Sequence, residues 1–375
     1  MITIASSFTS FTYQNILKPL LFQVDPETVH ELMTDLGEFC GSYEPVRSVF
    51  SHTYAFIHPS LTQKLHGIQF MNPVGLAAGF DYRAQLTQIL PAIGFGFGTI
   101  GTITRSSYAG NPKPRLGRLP KSKSLLVNKG FKNAGAEVVI KKLTQLKFHY
   151  PVGISIGRTN SRLLATQKQS IADILKAFFL FEASHIKHAY YELNISCPNL
   201  LGNVTFYPDK NLHELLREID QLKIKRPIFI KMPISETDRE TQKMLEVIVE
   251  HRIQGVIFGN LQKNRQDHSV NKHEAALVNN LKGHLSGKPT WVRSNELIRL
   301  AYKNYGKKLT IIGCGGIFSA EDAYTKIKLG ASLVQLITGM VYQGPALIGQ
   351  INGGLAKLLQ QDGLRHISEA VGVEN

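Results

Sequence analysis

The chain has 375 residues, 43% of them apolar, enough for one large domain with an appendage or for two ordinary domains. Its 43 Lys and Arg against 28 Asp and Glu give a net charge of +15, which favours an anionic partner: a lipid surface, a nucleic acid or a phosphorylated ligand. Cys40, Cys197 and Cys314 lie far apart without metal-ligand spacing, so reduced thiols in a cytosolic compartment are expected and a zinc site is not; neither a bilayer-spanning helix nor a secretory leader is expected from the apolar pattern.

Residues 11–40 read as two short amphipathic helices. Tyr13, Ile16, Leu17, Leu20 and Leu21 recur at helical spacing, with Pro19 as a kink. Asp25-Pro26-Glu27 supplies an N-cap and a first-turn proline for a second helix carrying Val29, Leu32, Met33 and Leu36. Such a pair either docks on the main domain or lies on a membrane and forms the mouth of a tunnel for a lipid-soluble ligand. We place a boundary after residue 45, with residues 46–375 as the main domain. Residues 41–70 read as an irregular connector, in which His66 to Phe70 is a candidate strand covering one end of that domain.

From Asn72 onward apolar strands alternate with helical patterns. The candidate strands are 74–78, 97–103, 152–156, 191–195, 228–232, 255–258, 310–314 and 333–337. Helical periodicity marks 170–188, with Ser170 as N-cap, and 212–222 and 241–250. Polar and glycine-rich residues gather after nearly every strand. That ring of loops argues for an α/β fold of the (β/α)8 TIM-barrel type, preceded by the helical pair, over a doubly wound open sheet.

The chemistry concentrates where Tyr191, Leu193 and Ile195 alternate and then give way to Ser196-Cys197-Pro198-Asn199. A lone Cys is most often a small buried hydrophobe. Between two carboxamides at a strand end, Cys197 becomes a general base once its pKa is lowered, with Asn194 and Asn199 able to pair with a planar heterocycle. Gly313-Cys314-Gly315-Gly316 and Thr338-Gly339 follow the last two strands, where barrels commonly bind phosphate, although a glycine-rich turn alone is usually just a turn. Ala77-Ala78-Gly79 gives a flat ring room to pack, Gly101-Thr102 offers it a hydrogen bond, and Lys231 ends its strand with a charge that favours an anionic ring. Asn128 and Asn260 add two more carboxamides, each by itself a common turn residue.

These residues together resemble the dihydroorotate dehydrogenases. The resemblance runs through Asn72-Pro73-Val74-Gly75-Leu76-Ala77-Ala78-Gly79-Phe80-Asp81, Gly110-Asn111-Pro112-Lys113-Pro114-Arg115, Asn194-Ile195-Ser196-Cys197-Pro198-Asn199 and Gly330-Ala331-Ser332-Leu333-Val334-Gln335. Phe22-Gln23-Val24-Asp25-Pro26 looks like the quinone-dependent class, whose N-terminal helices form the quinone tunnel, with Arg118 at the place of a tunnel arginine. The resemblance implies FMN, with its phosphate on Gly315, Gly316, Ile337 and Thr338 and its ring near Ala78, Gly79, Thr102, Ser155, Asn194, Lys231, Gly259 and Gly287. It implies dihydroorotate oxidised to orotate among Asn128, Gly130, Phe131, Asn194, Asn199 and Asn260, with Cys197 as the base. It further implies a quinone as acceptor and peripheral association with the cytoplasmic face of the inner membrane.

The chain departs from the family at four places. Cys197 stands where the quinone-dependent class has Ser, and Tyr82 where the family has a Lys, with Arg83 as the candidate replacement for that charge. Ser155 replaces an Asn, and Gly259-Asn260-Leu261 replaces Thr-Asn-Thr, removing a hydroxyl from the substrate side. The alternatives are a flavoenzyme of the same fold using fumarate or NAD or a related cyclic substrate, and a tRNA-acting flavoenzyme. No basic run interleaved with aromatics supports the last, so no nucleic-acid partner is expected.

Overall fold

The computed structural model describes residues 4–202 and 204–375. Eight parallel strands pair in chain order and close on themselves: β1 (Val74–Leu76), β2 (Phe97–Ile103), β3 (Val152–Ile156), β4 (Tyr190–Asn194), β5 (Ile228–Lys231), β6 (Gly255–Phe258), β7 (Thr310–Cys314) and β8 (Leu333–Leu336). The closing pair sets Val334 beside Val74, which makes a (β/α)8 barrel and excludes an open sheet. Each strand lies within two residues of its expected span. The first unit returns through the 3-10 turn Pro91–Ile93 rather than a full helix.

Alternation along the strands decides what each face holds. On β4, Tyr191 and Leu193 point outward into the layer packed by the helices, while Tyr190, Glu192 and Asn194 point into the barrel. On β5, Ile228 and Ile230 face out; Phe229 and Lys231 face in. The lower lumen is sealed by Phe97, Tyr190, Phe229, Ile257, Ile312 and Leu333, capped from below by Phe70. Phe70 belongs to a hairpin of Gln63–Leu65 and Ile68–Phe70, the expected cover at the strands' N-terminal end.

Three expectations need correction. The helix predicted to start at Ser170 begins at Gln167, because Thr166 and Gln169 form a capping box, and Ser170 is buried within it. The connector 41–70 contains a full helix, so the N-terminal unit is α1 (4–21), α2 (Pro26–Ser42) and α3 (Glu44–Tyr54), and a boundary at 45 falls inside α3. Glu44-Pro45 at the start of α3 is a helix-entry signal that the connector reading passed over. In α1, Pro19 has no N–H to donate, and the chain accommodates it with a π-helical turn, Tyr13–Leu17. Asp25 caps α2 as expected, accepting from the Thr28 N–H at 2.9 Å. No helix among the described residues is long and apolar enough to cross a membrane.

The helices roof the strands' C-terminal end. A small antiparallel sheet, Leu116–Leu119, Ser124–Val127 and His284–Leu285, rises from the loops after β2 and β6 to meet them. Arg118 donates to the carbonyls of Phe22 (3.2 Å) and Val24 (2.6 Å) and lies over the Phe22 ring. Glu27, buried on α2, accepts from Arg115 at 3.0 Å and Lys132 at 2.8 Å, and Lys132 also reaches Glu31. Burial alone would raise the Glu27 pKa, but the two cations hold it at about 2, below its ordinary 4.5. Its clamp is therefore fully present above pH 4.5 and is lost as pH falls toward about 2. Glu27→Ala should weaken docking by roughly 2 kcal/mol. Hydrogen exchange should report faster amide exchange in residues 26–42 with the barrel strands unchanged; uniform loss of protection would instead mean that the clamp holds the whole fold.

Candidate active site

A cavity of about 430 Å³ lies between the strand ends and the helical roof. Its floor is built by neighbouring strands. Asn194 and Lys231 are direct partners across β4 and β5, which sets a carboxamide beside an ammonium. The Asn194 Nδ2 donates to Thr102 Oγ1 at 2.8 Å, and Ser155 Oγ lies 2.9 Å behind Thr102, so Ser155 positions this pair from below rather than lining the cavity. Lys231 is 5% exposed, and its ammonium meets no hydrogen-bond or ion-pair partner among the described residues. Ala78 and Gly79 supply a bare wall. A Cβ built on Gly79, at φ +113°, would project into the cavity with only Ile337 within 4 Å.

A recess of about 100 Å³ adjoins this floor, lined by Gly259, Gly287, Gly315, Gly316, Ile337 and Thr338. Gly315 and Gly316 have φ of +105° and +73°, and a Cβ on either would collide with Thr290 or Trp291. Ser286 Oγ and Thr338 Oγ1 stand 2.8 Å apart at its edge. A backbone cradle that side chains would fill, a small-residue wall and an unpartnered ammonium form a donor set that fits flavin mononucleotide.

Cys197 sits in the loop above β4 with its side chain facing the cavity. Burial pushes its thiol up to about 11, against the lowering effects of the Asn199 backbone N–H, Lys231 and Arg158. The expected depressed pKa is therefore corrected: three favourable groups do not outweigh the desolvation of a thiolate. Asn199 lines the cavity and donates to the Val127 carbonyl at 3.0 Å. Asn260 donates to Ser196 Oγ at 2.6 Å, and Ser196 in turn donates to Asn194 Oδ1 at 3.1 Å, so the ends of β4 and β6 share one network.

Tyr82, Gly130, Phe131 and Leu261 also line the cavity, as does Arg118 at its helical end. Besides Ser155, two predicted residues line neither the cavity nor the recess. Arg83 is exposed, because the turn after Asp81 points Tyr82 inward and its neighbour out, so it does not supply the charge missing at Tyr82. Asn128 is buried beside the cavity, with its Oδ1 accepting from Asn111 at 3.0 Å.

Sequence reasoning missed Lys129, His30 and the Asn111–Asn160 pair. Lys129 is 8% exposed and lines the cavity. His30 stacks on Tyr82, donates its Nε2–H to the Phe80 carbonyl (2.9 Å), and is pushed to about 3 by burial and the nearby Lys129. The cavity face of α2 is Val29, His30, Met33, Gly37 and Cys40, whereas Leu32 points to solvent. Its 3.6-residue period was readable, but its phase was obscured by exposed apolar residues on the opposite face. No metal-binding cluster occurs among the described residues.

The family model described as dihydroorotate dehydrogenase matches residues 60–359. The chain is 34% identical to the dihydroorotate dehydrogenase (quinone) of Trichodesmium erythraeum, covering 97% of this chain and 99% of that one. It is 37% identical to the enzyme of the same name from Christiangramia forsetii, over 91% and 97%. Its backbone matches the crystal structure of Eimeria tenella DHODH in complex with ferulenol with a TM-score of 0.82 at 27% identity, over 95% and 99% of the two chains. By barrel, site and sequence alike, the chain belongs to the dihydroorotate dehydrogenase family.

Proposed function

We propose that this protein oxidises dihydroorotate to orotate with FMN and delivers the electrons to a quinone, a step of pyrimidine synthesis. The observation that carries this reading is a single cavity with two chemically different ends. Cys197, Asn194, Asn199 and Lys231 line one end; Met33, Cys40, Phe50 and Leu86 line the other. A polar heterocycle fits the first and an apolar ring with a tail the second.

Gly315, Gly316 and Gly287 would hold the FMN phosphate, while Ala78, Gly79, Thr102, Asn194 and Lys231 would receive the ring. Bound FMN supplies the two-electron chemistry that no side chain here can. Asn199 and Asn260 would orient the substrate ring amides, and the Cys197 thiolate would take the proton from C5, while bound FMN would be the acceptor for the hydride from C6. A thiol with a pKa near 11 must lose its proton first, so its basic form is scarce at neutral pH.

Peripheral membrane association is part of the same reading. Phe8, Phe11, Leu20, Leu36, Phe39 and Val49 on the three helices are exposed, between 50% and 69% of each side chain. Apolar helix faces on a chain of net charge +15 suit an anionic lipid surface that also supplies the quinone.

Anaerobic addition of dihydroorotate should bleach the flavin of the purified protein, and turnover should be faster with a short-chain quinone than with fumarate or NAD; a yellow protein that does not bleach would reject the substrate. Cys197→Ala should keep the flavin and slow its reduction at least about 100-fold. In the wild type that rate should rise about tenfold per pH unit from neutrality toward pH 11, because only the deprotonated thiol accepts a proton. A flat profile would remove Cys197 from the role. Gly316→Val, which strains a φ of +73° and pushes against Trp291, should yield protein that retains less flavin and melts at a lower temperature. Phe11→Asp with Leu20→Asp should abolish flotation with anionic vesicles while leaving turnover of a water-soluble quinone within about twofold.

A further inference from the structure

Three cations crowd the substrate side of the roof, and only two of them are neutralised. Arg115 and Lys132 pair with Glu27, and Lys132 also pairs with Glu31. The Lys129 ammonium makes no hydrogen bond or ion pair among the described residues, although 92% of the residue is removed from solvent, as its 8% exposure shows. Its ammonium lies 4.6 Å from the centre of the Tyr82 ring, and His30 stacks on the same ring. An aromatic face softens the burial of a cation without neutralising it.

The lysine lines the main cavity with Cys197, Asn199 and Asn260 but takes no part in the glycine recess. Lys231, the other unpartnered buried ammonium, borders both spaces and so belongs to the ring and phosphate side. The backbone fixes the aim of Lys129. Its carbonyl accepts from the Asn111 N–H at 3.2 Å, and Gly130 and Phe131 follow with φ of 65° and 64°, a turn that carries the chain away while the side chain stays in the cavity.

We propose that Lys129 is a substrate-binding residue that meets the carboxylate of dihydroorotate and orotate, with Tyr82 as its platform. The ring's carbonyls and N–H groups need neutral partners, which the carboxamides supply; the carboxylate needs a cation, and Lys129 is the surplus one on that side of the cavity. This rests on dihydroorotate being the substrate. The pairing places the charge on a different chain segment from Tyr82, which explains how a tyrosine and an exposed Arg83 coexist there with an anionic substrate.

The groups facing Lys129 are consistent with a site that waits for an anion. Burial, with Lys132 and Arg115 adding repulsion, brings its pKa to about 7 against the partial support of Glu27 and Glu31. His30, at about 3, stays neutral through the working range, and Tyr82, raised by burial, stays protonated. A bound carboxylate would favour the charged ammonium, so orotate affinity should fall as pH rises above about 7.

The test is titration of the FMN-loaded protein with orotate and with uracil, the same ring without the carboxylate, followed by flavin absorbance. Lys129→Met should weaken orotate roughly 10- to 100-fold, the value of one charge-assisted contact, and leave uracil unchanged. Lys129→Arg should recover most of the difference. In the wild type, orotate affinity should decline from pH 7 to 9 while that of uracil stays level, a readout that needs no variant. Equal weakening of both ligands, unchanged orotate binding, or a pH-independent orotate affinity would overturn the assignment. A wild type that binds no orotate at all would instead overturn the proposed substrate, and the role of Lys129 with it.

Discussion

Everything at the site follows from one constraint: in a closed parallel barrel, alternate residues of every strand are forced into the same lumen, and all strands end on the same side. The lower layers can be filled by Phe97, Tyr190, Phe229 and Leu333 because nothing has to enter there. One layer higher, the same phase brings Asn194 and Lys231 together with Thr102, and these cannot be buried without partners. The barrel therefore ends in a polar floor whose unsatisfied groups define the shape of what binds. Between these layers, Glu192 Oε1 accepts from Thr99 and Gln335, both at 2.6 Å, while its Oε2 is buried without a hydrogen-bond partner among the described residues.

The roof turns that floor into a two-ended cavity. Helices α1 to α3 bring an apolar inner face, and the charges that fasten them, Glu27 with Arg115 and Lys132, lie at the seam between polar and apolar halves. Fastening by buried ion pairs is a costly way to gain stability, but it fixes the register of a helix against a sheet. Here the register matters. Rotating α2 by about half a turn would withdraw His30, Met33 and Gly37 from the cavity and present Leu32 instead.

Electrostatically the cavity is cation-rich. Lys231, Lys129 and Arg158 all act on or line the polar end, and Asp81, the nearest carboxyl of the β1 loop, is occupied by the Gln85 and Leu86 backbone N–H groups. An anionic cofactor and an anionic substrate both relieve this imbalance. The Cys197 thiol is the counterpoint. Its neighbours favour the thiolate and its burial opposes it more strongly, so the free base is suppressed.

The sequence by itself determined the barrel, its eight strands and the chemistry at their ends, because β-strand alternation and glycine-rich loops are local patterns that one residue type at a time can reveal. It also determined the entry to α2, since Asp25 and Pro26 act within one turn. Only the tertiary structure decided which way the next residues turn. Tyr82 points in and Arg83 out, Ser155 sits behind Thr102, and Asn128 gives its oxygen to Asn111, choices set by packing across loops distant in sequence. Lys129 was invisible for the same reason. A lysine in a loop reads as solvated, and only the closing of the helical roof over Tyr82 removes the water and leaves its charge facing the cavity. The Cys197 pKa was equally out of reach, because desolvation depends on everything that surrounds a group rather than on the residues beside it in the chain.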